Sequence, residues 1–204
     1  MTDLIHAKKR EQSKVISSRR EQLVRCIPGI WNYKKVLNIG ANDKMFAFCS
    51  DFKQHGCIVD VIEIYPEYCQ GLRKHFDWLN QIVCGSVVDI DKLVEKGELE
   101  KKYELVIWSH GPGTLHDKQL IFDTLDELYL MTEKVLVIMN AYGKRRYVER
   151  NREKLETDYI TKNDFMDIVL YEDDFKKRDF LVDVLGEKDG DQSNLLAWKY
   201  SNVA

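Results

Sequence analysis

The sequence predicts an α/β fold: a doubly wound, mostly parallel seven-stranded sheet with helices on both faces and a C-terminal antiparallel hairpin. Three observations carry this. Five short apolar runs alternate with helical patterns between residues 35 and 140. The runs are nearly continuous in apolar residues, as strands are when both faces of a parallel sheet are covered. The chain then finishes in two strand-like runs around a polar, glycine-containing turn, not in another crossover. Right-handed crossovers between the parallel strands make the sheet doubly wound.

The elements follow in order. Residues 3–26 set Leu4, Ile5, Val15, Ile16, Leu23 and Val24 in a charged background, which reads as one or two amphipathic helices stopped by Pro28–Gly29. "KKVLNIG" is the first strand. "DKMFAFCSDFKQHG" places Met45, Phe48, Cys49 and Phe52 on one helical face and ends near Gly56. "CIVDVIEI" is the second strand. "PEYCQGLRKHFDWL" opens with Pro66 and Glu67, good first-turn residues, and aligns Cys69, Leu72 and Phe76. "NQIVCGSVVDI" reads as the third strand and "DKLVEKGELEKK" as a short polar helix. "YELVIWSHG" is the fourth strand. "DKQLIFDTLDELYLMT" is helical, with Leu120, Ile121, Leu125, Leu128 and Tyr129 inward, and "EKVLVIMN" is the fifth strand. "KRRYVERNREKLET" is a charged helix or lid, "YEDDFKKRDF" a short helix capped near Asp173, and "FLVDVLGEKDGDQSNLLAWKY" the hairpin.

With 204 residues, the chain is expected to hold one domain (residues 31–204) preceded by a basic helical arm or lid (residues 1–30). It is 44% hydrophobic and 32% charged, too apolar to be mostly disordered. Its net charge of −3 excludes nucleic-acid binding by bulk charge. Residues 1–35 nevertheless carry nine basic side chains against three acidic ones. Such an arm offers contact with phosphate or an anionic substrate; the plainer reading is a solvated amphipathic helix packed on the domain. The five cysteines include no C-x-x-C pair and read as free, buried thiols in a reducing compartment. No run reaches the roughly 18–20 apolar residues of a membrane-spanning helix, and "MTDLIHAKKREQ" lacks a signal-peptide core. The expectation is a cytoplasmic protein with no membrane partner.

In an open parallel sheet the ligand sits beyond the carboxyl ends of the strands. Those ends carry Gly40, Ala41, Asn42 and Lys44, then Glu63, Ile64 and Tyr65, then Gly85 and Ser86, then Ser109 and His110, then Asn140 and Tyr142. Glu63 is the most informative. It ends an apolar strand, where a carboxylate costs stability unless something uses it. It stands 23 residues after Gly40, a placement suited to accepting hydrogen bonds from ribose hydroxyls. Gly40 allows close backbone approach, and Asn42 tolerates the left-handed turn. "GANDK" lacks the G-x-G-x-x-G that cradles a pyrophosphate. A cofactor with ribose and adenine but no phosphates fits better, and S-adenosylmethionine is such a cofactor.

The order "VLNIGAND", "VDVIEIYPEYCQGLRK", "VCGSVVDI", "YELVIWSHGPGTL", "KVLVIMNAYG" and terminal hairpin resembles the class I, Rossmann-like S-adenosylmethionine-dependent methyltransferases. The similarity runs from about Lys35 to Tyr200. It implies that Gly40 and Ala41 line the methionine part of the cofactor, that Glu63 binds the ribose and that Ile64 packs on the adenine. Ser86 stands where the family often has an acidic residue at the adenine amino group. Ser109 and His110 would flank methyl transfer, with His110 as the base for an acceptor that must lose a proton. The other reading of His110 is a backbone hydrogen bond within "SHGPGT". The candidate cofactor set is thus Asn38, Gly40, Ala41, Asn42, Glu63, Ile64, Gly85, Ser86 and Ser109. No metal is expected, since His110 and His116 lack a supporting carboxylate or cysteine pattern. Asn38 replaces a usual acidic residue, and Lys44 a usual glycine. The acceptor is expected to be a small molecule, then protein or RNA, with nucleic acid reached through the basic arm. Two rivals remain: a non-catalytic binding module of the same fold, and an NAD-dependent oxidoreductase, which should carry the missing glycine-rich turn.

Overall fold

A computed structural model of the chain describes residues 29–41, 49–109, 118–141, 180–185 and 193–199, with isolated positions 24, 27 and 115. Strands β1 (Lys35–Ile39), β2 (Ile58–Glu63), β3 (Gln81–Cys84), β4 (Tyr103–Trp108) and β5 (Thr132–Ala141) pair in parallel. Strands β6 (Phe180–Leu185) and β7 (Ser193–Lys199) pair antiparallel with each other, and β7 runs antiparallel to β5. The sheet order is β3-β2-β1-β4-β5-β7-β6. The link between β6 and β7 lies outside the described residues, as do the basic arm through Leu23 and the charged stretch after β5.

Helices α1 (Cys49–Gln54), α2 (Pro66–His75), α3 (Ile90–Glu95) and α4 (Lys118–Met131) fill the crossovers. They cover both faces, because successive strand residues point to opposite sides. Val36, Val59, Val61, Leu105, Ile107 and Val137 pack with Phe52 of α1 and Leu72 of α2. Leu37, Ile62, Val106, Trp108 and Leu136 pack on the other side with Leu93 of α3 and Leu125 and Leu128 of α4. The apolar strands therefore bury on both sides, the pattern that marked the sheet as parallel.

Local chemistry sets the helix ends. Gly56 (φ 67°) follows α1, with Gly56 N–H bonded to Lys53 O and Cys57 N–H to Phe52 O. Gly97 (φ 72°) does the same after α3, with bonds to Val94 O and, from Glu98 N–H, to Leu93 O. Both are Schellman closures, in which a left-handed glycine satisfies the last carbonyls. The α2 helix begins at Pro66, carries Glu67 in its first turn and has Arg73 and Lys74 in its last, each charge opposite to the nearby dipole end.

Three expectations change. The third strand stops at Cys84, and "VVD" at Val87–Asp89 forms a single 3-10 turn. Ser86 causes this: its side chain accepts from Val88 N–H and caps the turn, overriding the β propensity of two valines. Leu120 is 37% exposed rather than inward. Cys57 and Cys69 are buried free thiols, but Cys84 is exposed. Cys26 and the Cys49 side chain lie outside the described residues.

The amino end of the sheet holds a buried polar cluster. Asp60 accepts from the Tyr103 hydroxyl at 2.7 Å and from Asn80 Nδ2 at 2.8 Å, while Glu100 N–H donates to the Tyr103 oxygen at 3.1 Å. Burial, then the Asp60 carboxylate, pushes the Tyr103 pKa up, so the hydroxyl stays a donor. No helix among the described residues is long and apolar enough to cross a membrane.

Candidate functional site

Strand order reverses at β1: β2 and β3 lie to one side, β4 and β5 to the other. A cleft of about 400 Å³ opens at the carboxyl ends of the strands beside this switch. Its floor is fixed by backbone. Gly40 N–H donates to Ile62 O at 2.8 Å, and Ser109 N–H donates to Ile39 O at 2.8 Å. These bonds carry the ladder one step past the strands and hold three strand ends together. Gly40 has φ 72°, and a Cβ there would lie 2.5 Å from Ser109 O. Both the left-handed backbone and the close approach require glycine.

Glu63 closes the β2 side. The residue is 3% exposed, and Oε1 accepts from Tyr65 N–H at 3.1 Å. Burial raises its pKa; hydrogen bonds from the Tyr65 and Ile64 amides oppose this, and Glu67 adds to it. The described donors to this buried carboxylate are thus two neighbouring backbone amides, with no cation among them. Apolar surface adjoins it. Ile64 and Tyr65 are 56% and 55% exposed, and Tyr65 meets Tyr68 edge-to-face at 5.5 Å. Across the cleft stand Ser86, Trp108, Ser109 and Leu115.

Six residues of the sequence-derived set line this cleft: Gly40, Glu63, Ile64, Gly85, Ser86 and Ser109. Two do not. Asn38 is fully buried on β1, where its Oδ1 accepts from Ser109 Oγ at 3.3 Å. It braces the residue that lines the cleft. Ala41 is fully buried too, packed in the core with Phe52 and Ile107. Both face the α1–α2 side: Asn38 by its place on β1, and Ala41 because the left-handed Gly40 between them breaks the strand alternation. Asn42, His110 and Lys44 lie outside the described residues. The sequence-derived set left out Tyr65, Tyr68 and Trp108, although Tyr65 stands at the end of the second strand and Trp108 beside Ser109. The signal for the tyrosines was present: "EIYPEY" puts two aromatics at helical spacing beside a strand-end carboxylate. Among the described residues no group of three or more His, Cys, Asp or Glu is arranged to hold a metal.

This arrangement defines a class: the chain has the fold of the class I S-adenosylmethionine-dependent methyltransferases. A methyltransferase from Archaeoglobus fulgidus described as S-adenosylmethionine-dependent superposes with a TM-score of 0.63 at 16% identity, over 90% of this chain and 94% of that one. The N-methyltransferase NodS from Bradyrhizobium japonicum WM9, solved with S-adenosyl-L-homocysteine, gives 0.59 at 13% identity, over 91% and 87%. Magnesium protoporphyrin IX methyltransferase from Synechocystis PCC 6803, also with S-adenosylhomocysteine, gives 0.60 at 14% identity, over 93% and 84%. No protein-family model and no curated protein matches the sequence.

Proposed function

We propose that this protein is a methyltransferase that binds S-adenosylmethionine in the cleft at the carboxyl ends of β1, β2 and β4. The observation that carries the reading is Glu63. A carboxylate buried beside the strand switch, met by two backbone amides and flanked by exposed apolar rings, suits a ribose diol next to an adenine. Glu63 accepts from the ribose hydroxyls, and Ile64 and Tyr65 offer apolar surface to the base. Ser86 Oγ can donate to the adenine while it caps its own turn. The Gly40 turn gives bare backbone to the amino-acid part. When bound, the cofactor supplies a methyl group on a cationic sulfur as the electrophile, and the chain aligns and desolvates.

Ser109 stands at the rim of the transfer position, fixed by its N–H to Ile39 O and its hydroxyl to Asn38. His110 follows it and is the base in this reading when the acceptor must lose a proton. The acceptor is a small molecule first, protein or RNA second, with the basic arm as the surface for an anionic partner. Free Cys57, Cys69 and Cys84 fit a reducing compartment, and the location proposed is the cytoplasm.

Calorimetry with S-adenosylmethionine, S-adenosylhomocysteine and NAD tests the reading. Binding of the two sulfur nucleotides and not NAD is expected; binding of neither would sink it. Tight binding without transfer to any acceptor in a panel of small molecules, peptides and RNA would favour the non-catalytic module.

A further inference from the structure

Cys69 and Cys84 are brought together against the wall of the cleft. Cys84 is the last residue of β3 and the register partner of Glu63. Ile82, two residues earlier, packs on the face covered by α2, so Cys84 points to that face as well. Cys69 lies on the buried side of α2, and its Sγ donates to the Glu63 carbonyl at 3.3 Å. Cys69 is thus bonded to the main chain of the residue that Cys84 faces in the ladder, which sets the two thiols close together; Cys69 is buried while Cys84 is exposed. One thiol faces solvent, and the other waits behind it.

We propose that Cys69 and Cys84 form an oxidation site that a peroxide converts to a disulfide, and that this bond weakens ligand binding in the adjoining cleft. Burial, then the neighbouring Cys84, pushes the Cys69 thiol up to about 12, so Cys69 stays protonated and the exposed sulfur reacts first. The Cys84 sulfur attacks a peroxide oxygen; the O–O bond breaks, giving a sulfenic acid and one water (from hydrogen peroxide). The Cys69 sulfur then displaces the sulfenic hydroxyl. An S–S bond forms, the S–O bond breaks, and the Cys69 proton leaves with that hydroxyl as a second water. Two thiols are oxidised and one peroxide is reduced.

The bond must bring the two sulfurs to about 2.05 Å. That draws the start of α2 toward the end of β3. Tyr68 precedes Cys69 and Gly85 follows Cys84, and both line the cleft. Oxidation therefore moves two of its walls around Glu63. The effect on affinity rests on the cofactor reading above; formation of the bond does not.

The test uses the full chain, treated with hydrogen peroxide, alkylated while folded, then digested and mapped by mass spectrometry. A Cys69–Cys84 linked peptide is expected in the wild type, and none in Cys84→Ser or Cys69→Ser. Oxidation of Cys84 to sulfinic or sulfonic acid without linkage, or linkage of either thiol to another cysteine or another chain, would overturn the site. Cys84→Ser, at an exposed position, keeps the comparison valid if Cys69→Ser misfolds. Titration of oxidised and reduced protein with S-adenosylhomocysteine should show a loss of at least about fivefold on oxidation, reversed by dithiothreitol. Equal affinity of linked and reduced protein would overturn the coupling alone; no binding to either form would count against the cofactor reading and leave the mapped disulfide standing.

Discussion

Replacing Glu63 with glutamine separates its part in the fold from the binding role proposed for it, because stability and binding should move in different directions. In the folded protein Glu63 is 3% exposed, and its pKa is raised chiefly by burial. For a carboxyl group, a raised folded-state pKa removes stability as pH rises. Below the ordinary value of 4.5 both states are protonated. Between 4.5 and the raised value the unfolded chain ionises first, so stability falls; above it the penalty is constant. Glutamine keeps an oxygen for Tyr65 N–H and has no charge to desolvate. Its stability at pH 7 should therefore be within about 0.5 kcal/mol of wild type or higher. Binding should suffer. A hydrogen bond to a charged acceptor contributes about 1.5–3 kcal/mol and a neutral one about 0.5–1.5. Two ribose hydroxyls then lose about 2–3 kcal/mol together, a rise in Kd of roughly 30- to 150-fold. Glu63→Ala should cost at least about 1–3 kcal/mol of binding on the same argument. Calorimetric titration with S-adenosylhomocysteine, paired with urea denaturation, reads both quantities. Ribose donors favour the anion, so wild-type affinity should also fall as pH drops through the raised Glu63 value, and the glutamine variant should not show that slope. An unchanged Kd would refute the ribose role. A loss of affinity matched by a loss of stability above about 1 kcal/mol would make Glu63 structural instead.

Gly40→Ala should destabilise by about 2–5 kcal/mol, combining the left-handed penalty with a clash against the Ser109 carbonyl; a urea midpoint shift worth under 1 kcal/mol would contradict the geometry. Tyr103→Phe should cost about 1–3 kcal/mol by stranding a buried Asp60 oxygen and the Glu100 amide. In the wild type, the raised Tyr103 pKa keeps its proton in the folded state while the unfolded tyrosine ionises, so stability should fall as pH passes 10; Tyr103→Phe should lose that part of the slope in thermal melts. Phe52→Ala should cost about 3–5 kcal/mol, since Phe52 is fully buried and meets Trp31 edge-to-face at 4.8 Å. A loss below 1.5 kcal/mol would mean that this face repacks easily.

Much of the site was legible because the signals were local. Glu63 stood out as a charge closing an apolar run, and Gly40 as a break between strand and helix. Ser86 was placed at the strand end, yet its capping of a 3-10 turn, which ended β3 early, was not foreseen. Tyr65 was placed at the end of the second strand and Tyr68 in the helix that follows, and neither was assigned to the site. What they share with Glu63 is visible only once β2 and α2 meet at the cleft rim.

The amino-acid order alone determined the alternation of parallel strands and helices, because apolar runs, proline starts and glycine ends act within a few residues of one another. It also determined which residues stand at the carboxyl ends of the strands. Register and face were decided only by the tertiary structure. Pairing Glu63 with Cys84 set a dithiol beside the cleft, and pairing Ile39 with Trp108 set Gly40 against the Ser109 carbonyl. Strand alternation sent Asn38 to the core, the left-handed turn at Gly40 sent Ala41 there, and Glu63 and Ser109 line the cleft. The reason is physical: a side chain's direction follows from its place along the strand, but what it meets depends on residues tens of positions away, which nothing local encodes.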